Sequence, residues 1–363
     1  MYIPINKNNI MNTDRKLSYG EAIREAIDLC MEKDPFVYII GEGVPDPKGI
    51  FGTTLNLVEK YGEDRVMDMP ISENGMTGIA IGTAITGMRP IITHQRMDFV
   101  LLAMDQIINN ASKWHYMFGG KSNVPIVIRL IIGRGWGQGP QHSQSLQTWF
   151  THVPGLKVVM PTTPYDAKGL LISSIEDNNP VIFIEHRWLH NISDYVPKGV
   201  YRVPIGKANI IKEGNDLTIV CMSYMTIEAI RASKILATHN INVEIIDVRT
   251  LKPLDEESIL NSVQKTGHLI VLDTSWKTSG FSSEIISLVS EKSFHELKTA
   301  PIRITLPDIP APSTPALSSH YYPIATDIIN AVVRCLKLNT TIIASQQTHT
   351  PLDVPDITFT GPF

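Results

Sequence analysis

Short apolar runs of one kind, separated by stretches with helical spacing, constrain this chain more than any other feature. Residues 36–41, 124–130, 157–160 and 181–185 are rich in Val and Ile and show no period-two alternation, as expected of strands buried on both faces. Between them, residues 19–32 carry apolar side chains at helical spacing and stop at Asp34-Pro35, because a proline disfavours a helical residue before it. The same reading predicts helices over 75–86, 100–118 and 167–175 and a strand over 89–93. This order of strand and helix predicts a mostly parallel sheet covered by helices.

Periodicity lapses over 191–206, where Tyr195, Pro197, Gly199 and Pro204 fall, and a linker is expected there, centred on 196–206. A second α/β unit follows, with strands at 216–221, 242–247, 268–272 and 301–304 and helices at 225–239, 255–264, 279–292 and 324–338. The expected division is a flexible extension at 1–16, a first domain at 17–195, the linker at 196–206, a second domain at 207–338 and a polar, proline-bearing tail at 339–363. At 363 residues the chain can fill two domains with cores. A net charge of −4 argues against nucleic acid as a partner. No apolar run reaches the roughly 18 residues of a membrane span, and Cys30, Cys221 and Cys335 are unpatterned. A cytoplasmic protein with reduced thiols is the expectation.

Two segments carry chemistry. Pro70-Ile71-Ser72-Glu73-Asn74-Gly75-Met76-Thr77-Gly78-Ile79-Ala80-Ile81-Gly82 sets one carboxylate at the head of a stretch dense in small residues. Such residues let backbones approach closely. Alone, Glu73 reads as a first-turn acid facing the helix dipole. Gly139-Pro140-Gln141-His142-Ser143-Gln144-Ser145 supplies a histidine, whose unperturbed pKa of roughly 6.5 suits proton transfer near neutrality; alone, it reads as a loop histidine. Asp177-Asn178-Asn179-Pro180 reads as a helix-to-strand turn.

Taken with Leu17-Ser18-Tyr19-Gly20-Glu21-Ala22, Gly41-Glu42-Gly43, Asp105-Gln106-Ile107 and Pro154-Gly155-Leu156-Lys157-Val158-Val159, these segments carry a resemblance. Over about 17–338 the chain resembles the β subunit of the thiamine-diphosphate-dependent, transketolase-like E1 component of 2-oxo acid dehydrogenases (pyruvate, branched-chain or acetoin type). The resemblance implies an α/β fold of two domains with mostly parallel sheets flanked by helices. The first would be a pyrimidine-binding domain and the second a transketolase C-terminal-like domain. It implies an oxidoreductase that decarboxylates a 2-oxo acid and passes the acyl group to lipoamide. Glu73 would face N1′ of the cofactor's pyrimidine, with Phe99 and Ile71 packing on the cofactor. Glu42 would lie on a proton route, His142 near the reacting carbon, and a structural K+ would sit at Asp177 and Asn179. No Gly-Asp-Gly occurs, so the resemblance implies that an α subunit holds the diphosphate and its Mg2+, in an α2β2 assembly.

Two departures qualify this picture. His94-Gln95-Arg96-Met97-Asp98 precedes Phe99 where pyruvate-type relatives are largely apolar, and three ionisable groups beside a pocket are costly if buried unpaired. Either Arg96 and Asp98 pair, or His94, Arg96 and Arg134 serve a substrate more polar than pyruvate. The stretch expected to bind a lipoyl E2 core reads Leu297-Lys298-Thr299-Ala300-Pro301, with no acid for a basic partner. A split-subunit carboligase or decarboxylase acting without E2 is therefore the alternative.

Overall fold

The computed structural model describes residues 15–133, 137–339 and 342. Its larger sheet has seven strands, in the spatial order Thr250–Lys252, Lys157–Val159, Val181–His186, Val127–Ile132, Arg89–His94, Val37–Gly41 and Val66–Met67. All neighbours are parallel except the first pair. Three inner strands, Val37–Gly41, Val127–Ile132 and Val181–His186, are buried at every position, which is why they read as runs rich in Val and Ile without period-two alternation. Gly41 closes its strand against the next: a Cβ there would lie 2.5 Å from the Thr93 carbonyl oxygen.

The smaller sheet runs Ile302–Leu306, Leu269–Trp276, Leu217–Cys221, Val243–Asp247 and Asn209–Lys212, with only the last strand antiparallel. Helix Tyr224–Ala237 packs on Ala325–Cys335, both apolar on the facing side. The fold is thus the two-domain α/β architecture with mostly parallel sheets that the sequence predicts.

Several elements differ from expectation. Ser193–Tyr195, where the sequence shows no periodicity, forms a strand that pairs antiparallel with Lys16–Ser18, and Arg15 donates to the Val196 carbonyl at 2.9 Å and to Glu25 at 2.6 Å. Strand Thr250–Lys252 follows the second domain's Val243–Asp247 yet joins the edge of the first domain's sheet. Three residues carry too little pattern to be read as a strand, and their partner is about 90 positions away. The helix expected over 100–118 is instead a chain of turns: Met97–Val100 and Ser112–Met117 are α-helical, Leu101–Ala103 is 3₁₀ and Gln106–Ala111 is π-helical. Apolar spacing does not resolve these tighter and wider turns. Within the π turn, Asn109 donates to Asp105 at 2.7 Å and Asn110 to Gln106 at 3.0 Å.

Candidate functional site

A cavity of about 300 Å³ opens beyond the carboxyl ends of strands Val37–Gly41 and Arg89–His94, the position where parallel α/β sheets bind ligands. Glu42 leaves the first strand, and His94, Gln95 and Arg96 leave the second. Glu73 opens helix Glu73–Ile85, and Phe99 and His142 close the wall. The helix begins two residues earlier than its spacing suggests, so Glu73 sits in the first turn with its dipole-favoured carboxylate and is 7% exposed. No hydrogen bond to that carboxylate forms among the described residues. Gly78 lets this helix lie against the π turn, where a Cβ would meet the Gln106 amide at 3.3 Å.

Glu42 is raised above the usual carboxylate range, by partial burial first and then by the negative charges of Glu73 and Asp68. Two carboxylates acting on each other across one cavity favour a proton held on one of them. Gln95 pins the Glu42 loop by donating to its carbonyl at 2.7 Å. The His142 ring meets the Phe99 ring edge-on, with centroids 5.3 Å apart, and its Nδ1 is buried with no hydrogen-bond partner among the described residues. The loop carrying His142 is tied to both domains. Gln144 donates through its amide to Asp98 at 2.9 Å, Ser145 meets Thr274 at 2.9 Å, and Gln147 donates to Asp273 at 2.7 Å.

His94 is buried, which pushes its pKa down to about 4, and its Nε2 has no partner among the described residues. Arg96, also buried, donates to Gln138 Oε1 at 2.6 Å. Asp98 takes its hydrogen bonds from Gln144 instead, at 3.2 Å from the backbone and 2.9 Å from the amide. The expected alternative of an Arg96–Asp98 pair therefore gives way to separate partners, the two charges acting on each other at longer range.

Not every predicted site residue joins the cavity. Ile71 is 84% exposed and stands outside its lining. Arg134 lies outside the described residues. Asp177 and Asn179 precede strand Val181–His186, at the opposite end of the sheet. There the Lys157 ammonium holds Asp177 Oδ2, and Arg89 donates to the Asp177 carbonyl at 3.0 Å and to Asn178 at 2.7 Å. Asn179 Oδ1 is buried without a partner among the described residues. Phe51, Met69 and Gln138 line the cavity without having been singled out; Met69 adjoins the Glu73 segment and Gln138 the His142 segment, while Phe51 had no signal nearby.

Behind the cavity lies a closed charge cluster that motif reading also missed. Arg129 and Glu185, both 0% exposed, pair at 2.7 Å. Glu185 accepts from His190 at 3.0 Å if that nitrogen bears the proton, and Arg129 donates to Thr53 at 2.9 Å. Burial alone would raise Glu185, but Arg129 and the His190 bond outweigh it and hold its carboxyl below the ordinary range. An arginine inside an otherwise apolar strand was the available signal.

The group implied by the resemblance can be tested against these residues. A buried carboxylate with no donor, beside Phe99 and Met69, fits an aromatic base that presents a ring nitrogen. Among the described residues no cluster of three or more His, Cys, Asp or Glu is placed to hold a metal ion.

Comparison with known proteins agrees. The family model "Transketolase, pyrimidine binding domain" matches residues 15–191, and "Transketolase, C-terminal domain" matches 206–328. The acetoin:2,6-dichlorophenolindophenol oxidoreductase subunit beta of Cupriavidus necator is 44% identical, over 89% of this chain and 98% of its own length. The pyruvate dehydrogenase E1 component subunit beta of Porphyra purpurea is 42% identical, over 90% and 99%. A solved structure described as "Split gene transketolase, inactive beta4 tetramer" shares the fold at a TM-score of 0.72 and 23% identity, covering 89% of this chain and 100% of that one. Both domain matches and the relatives at above two-fifths identity lead to one conclusion: the chain belongs to the thiamine-diphosphate-dependent, transketolase-like E1 β-subunit family.

Proposed function

We propose that this chain is the pyrimidine-binding half of an E1-type active site that decarboxylates a 2-oxo acid and transfers the acyl group to lipoamide. The observation that carries the reading is Glu73, a buried carboxylate at a helix start, facing a cavity and accepting no hydrogen bond from the described residues. When bound, thiamine diphosphate supplies an electron sink for cleaving the bond between a carbonyl carbon and its carboxylate. Glu73 would hold N1′ of the pyrimidine through its carboxylate. Phe99, which lines the cavity, would pack on the ring and exclude water. Glu42, raised by burial and by Glu73, stores a proton at the cavity wall, and His142 donates or accepts at the reacting oxygen.

An α chain supplies the diphosphate and Mg2+ site in this reading, in an α2β2 assembly. The exposed Ile79, Leu102, Tyr116 and Met117 give the β chain apolar surface to cover in such an assembly. A K+ at Asp177 and Asn179 belongs to the proposal too. Asn179 Oδ1, buried without a partner among the described residues, supports it and the Lys157 ammonium on Asp177 counts against it.

One observation favours the second reading, a carboligase or decarboxylase working without E2. Lys298 donates to the Thr266 carbonyl at 3.0 Å, and Thr299 turns inward to His268 at 2.9 Å, so neither offers an acid to a basic partner. The experiment is co-expression with an α chain carrying the diphosphate-binding half, followed by decarboxylation assays with and without a lipoyl domain. Acyl-lipoyl product establishes the first reading. Decarboxylation or carboligation without lipoyl dependence establishes the second, and no thiamine-dependent turnover overturns both.

A further inference from the structure

The end of strand Arg89–His94 turns polar groups into a cavity whose wall also carries the apolar Phe51, Met69 and Phe99. His94 lines the cavity, and its Nε2 is buried with no hydrogen-bond partner among the described residues. Buried polar atoms are nearly always satisfied, and one left unmade costs about 1–3 kcal/mol. Beside it, Gln138 accepts from Arg96 at 2.6 Å, which polarises the amide and leaves its N–H donors for another acceptor. Phe99 and Met69 on the neighbouring wall offer no hydrogen bond. A methyl or alkyl group lodged here would leave His94 unsatisfied; a hydroxyl would both accept and donate.

We propose that His94, with the Arg96–Gln138 pair beside it, forms a subsite for an oxygen-bearing carbon chain, so that the enzyme prefers donors hydroxylated next to their reacting carbonyl over pyruvate and alkyl 2-oxo acids. This rests on the E1-type reading of the cavity. Burial keeps the imidazole uncharged well below neutrality, which suits a neutral hydroxyl rather than a carboxylate. The charge of Arg96 adds pull on the hydroxyl oxygen. A site that hydrogen-bonds a substrate hydroxyl discriminates strongly against the analogue lacking it, because its own polar groups are then left unpaired.

The test uses the assembled α·β complex with cofactor and Mg2+. Relative kcat/KM is measured for 3-hydroxypyruvate, pyruvate and 2-oxobutyrate, and binding of 3-hydroxypyruvate and pyruvate is titrated calorimetrically in parallel. At least about a tenfold preference for hydroxypyruvate is expected in both readouts. His94→Phe should collapse the hydroxypyruvate-to-pyruvate ratio about tenfold, and His94→Gln, which keeps a donor and an acceptor, should restore part of it. Pyruvate or 2-oxobutyrate equal to or better than hydroxypyruvate overturns the subsite and leaves the E1 reading standing. A preference that is unmoved by His94→Phe overturns it too. Tighter, His94-dependent binding of hydroxypyruvate with no turnover of any donor supports the subsite and overturns the thiamine reading instead.

Discussion

Two buried polar regions lie in the first domain, one behind the other, and they differ in how their groups are satisfied. In the inner one, Arg129, Glu185, His190 and Thr53 answer one another, with contacts of 2.7–3.0 Å. In the outer one, Glu73 accepts no hydrogen bond, and His94 Nε2 and His142 Nδ1 have no partner, among the described residues. Both regions hold ionisable side chains out of water, which is costly in each unless a partner is found. The inner cluster finds its partners within the fold and so supports structure. The outer one leaves them without partners among the described residues, as a binding site would.

That contrast can be broken by mutation. The largest expected effect is at Glu73→Gln, which should lower activity of the assembled complex by about 10³-fold, roughly 4 kcal/mol, with the thermal midpoint of the β chain unchanged or raised. A fall in stability comparable to the loss in activity would place Glu73 with the inner cluster. Next is Arg129→Met, expected to destabilise by about 3–5 kcal/mol because Glu185 loses its guanidinium in the core; denaturant unfolding checks it. If Arg129→Met left the unfolding midpoint in place, the inner cluster would not be structural.

Asp247 sharpens the comparison as an intermediate case. Fully buried, it is pushed up to about 7, by desolvation first and then by Asp166. Its Oδ1 accepts from the Arg249 backbone at 3.3 Å while Oδ2 has no partner among the described residues. It does not line the cavity, so the unpaired oxygen is met by a proton and not a ligand. The native state then holds more protons than the unfolded chain between about pH 4 and pH 7. Its contribution to stability is therefore full at low pH and falls as pH rises through 7. Asp247→Asn should raise stability at pH 8 by about 2 kcal/mol, with the gain shrinking towards pH 5. A pH-independent difference in unfolding free energy would count against the assignment. The smallest effect is expected at Thr53→Val. It removes one of the Arg129 bonds while the Glu185 pair stays, and should cost about 1 kcal/mol in the same unfolding assay.

Much of the site was legible before the fold. Glu73 and His142 stand in segments whose composition is unusual over several residues. His94, Arg96 and Asp98 announced themselves as charges where an apolar wall was expected. The sequence could not tell where those charges went. An Arg96–Asp98 pair and separate partners imply the same local spacing, and only the approach of Gln138 and Gln144 from another loop decides between them. Phe51 reaches the cavity from the short helix Gly49–Gly52 and Met69 from the loop after strand Val66–Met67, neither with a periodic signal.

The alternation of buried strands and amphipathic helices settled the architecture by itself, because a strand covered on both faces is apolar almost throughout and a covering helix apolar on one side. Those are local rules, and residues 37–41, 127–132 and 181–186 follow them except at Arg129, Glu185 and His186. The sequence likewise determined that one carboxylate heads the small-residue helix. Only the tertiary structure decided what depends on contacts between distant positions. Strand Thr250–Lys252 left its own domain for the edge of the other sheet. Residues 97–117 changed helical type turn by turn against the Glu73 helix. Ile71 faces outward from the single chain while His94 is sealed in. Each outcome is set by which groups remain to be buried or hydrogen-bonded once the local elements have formed, and that sum is taken over the whole fold.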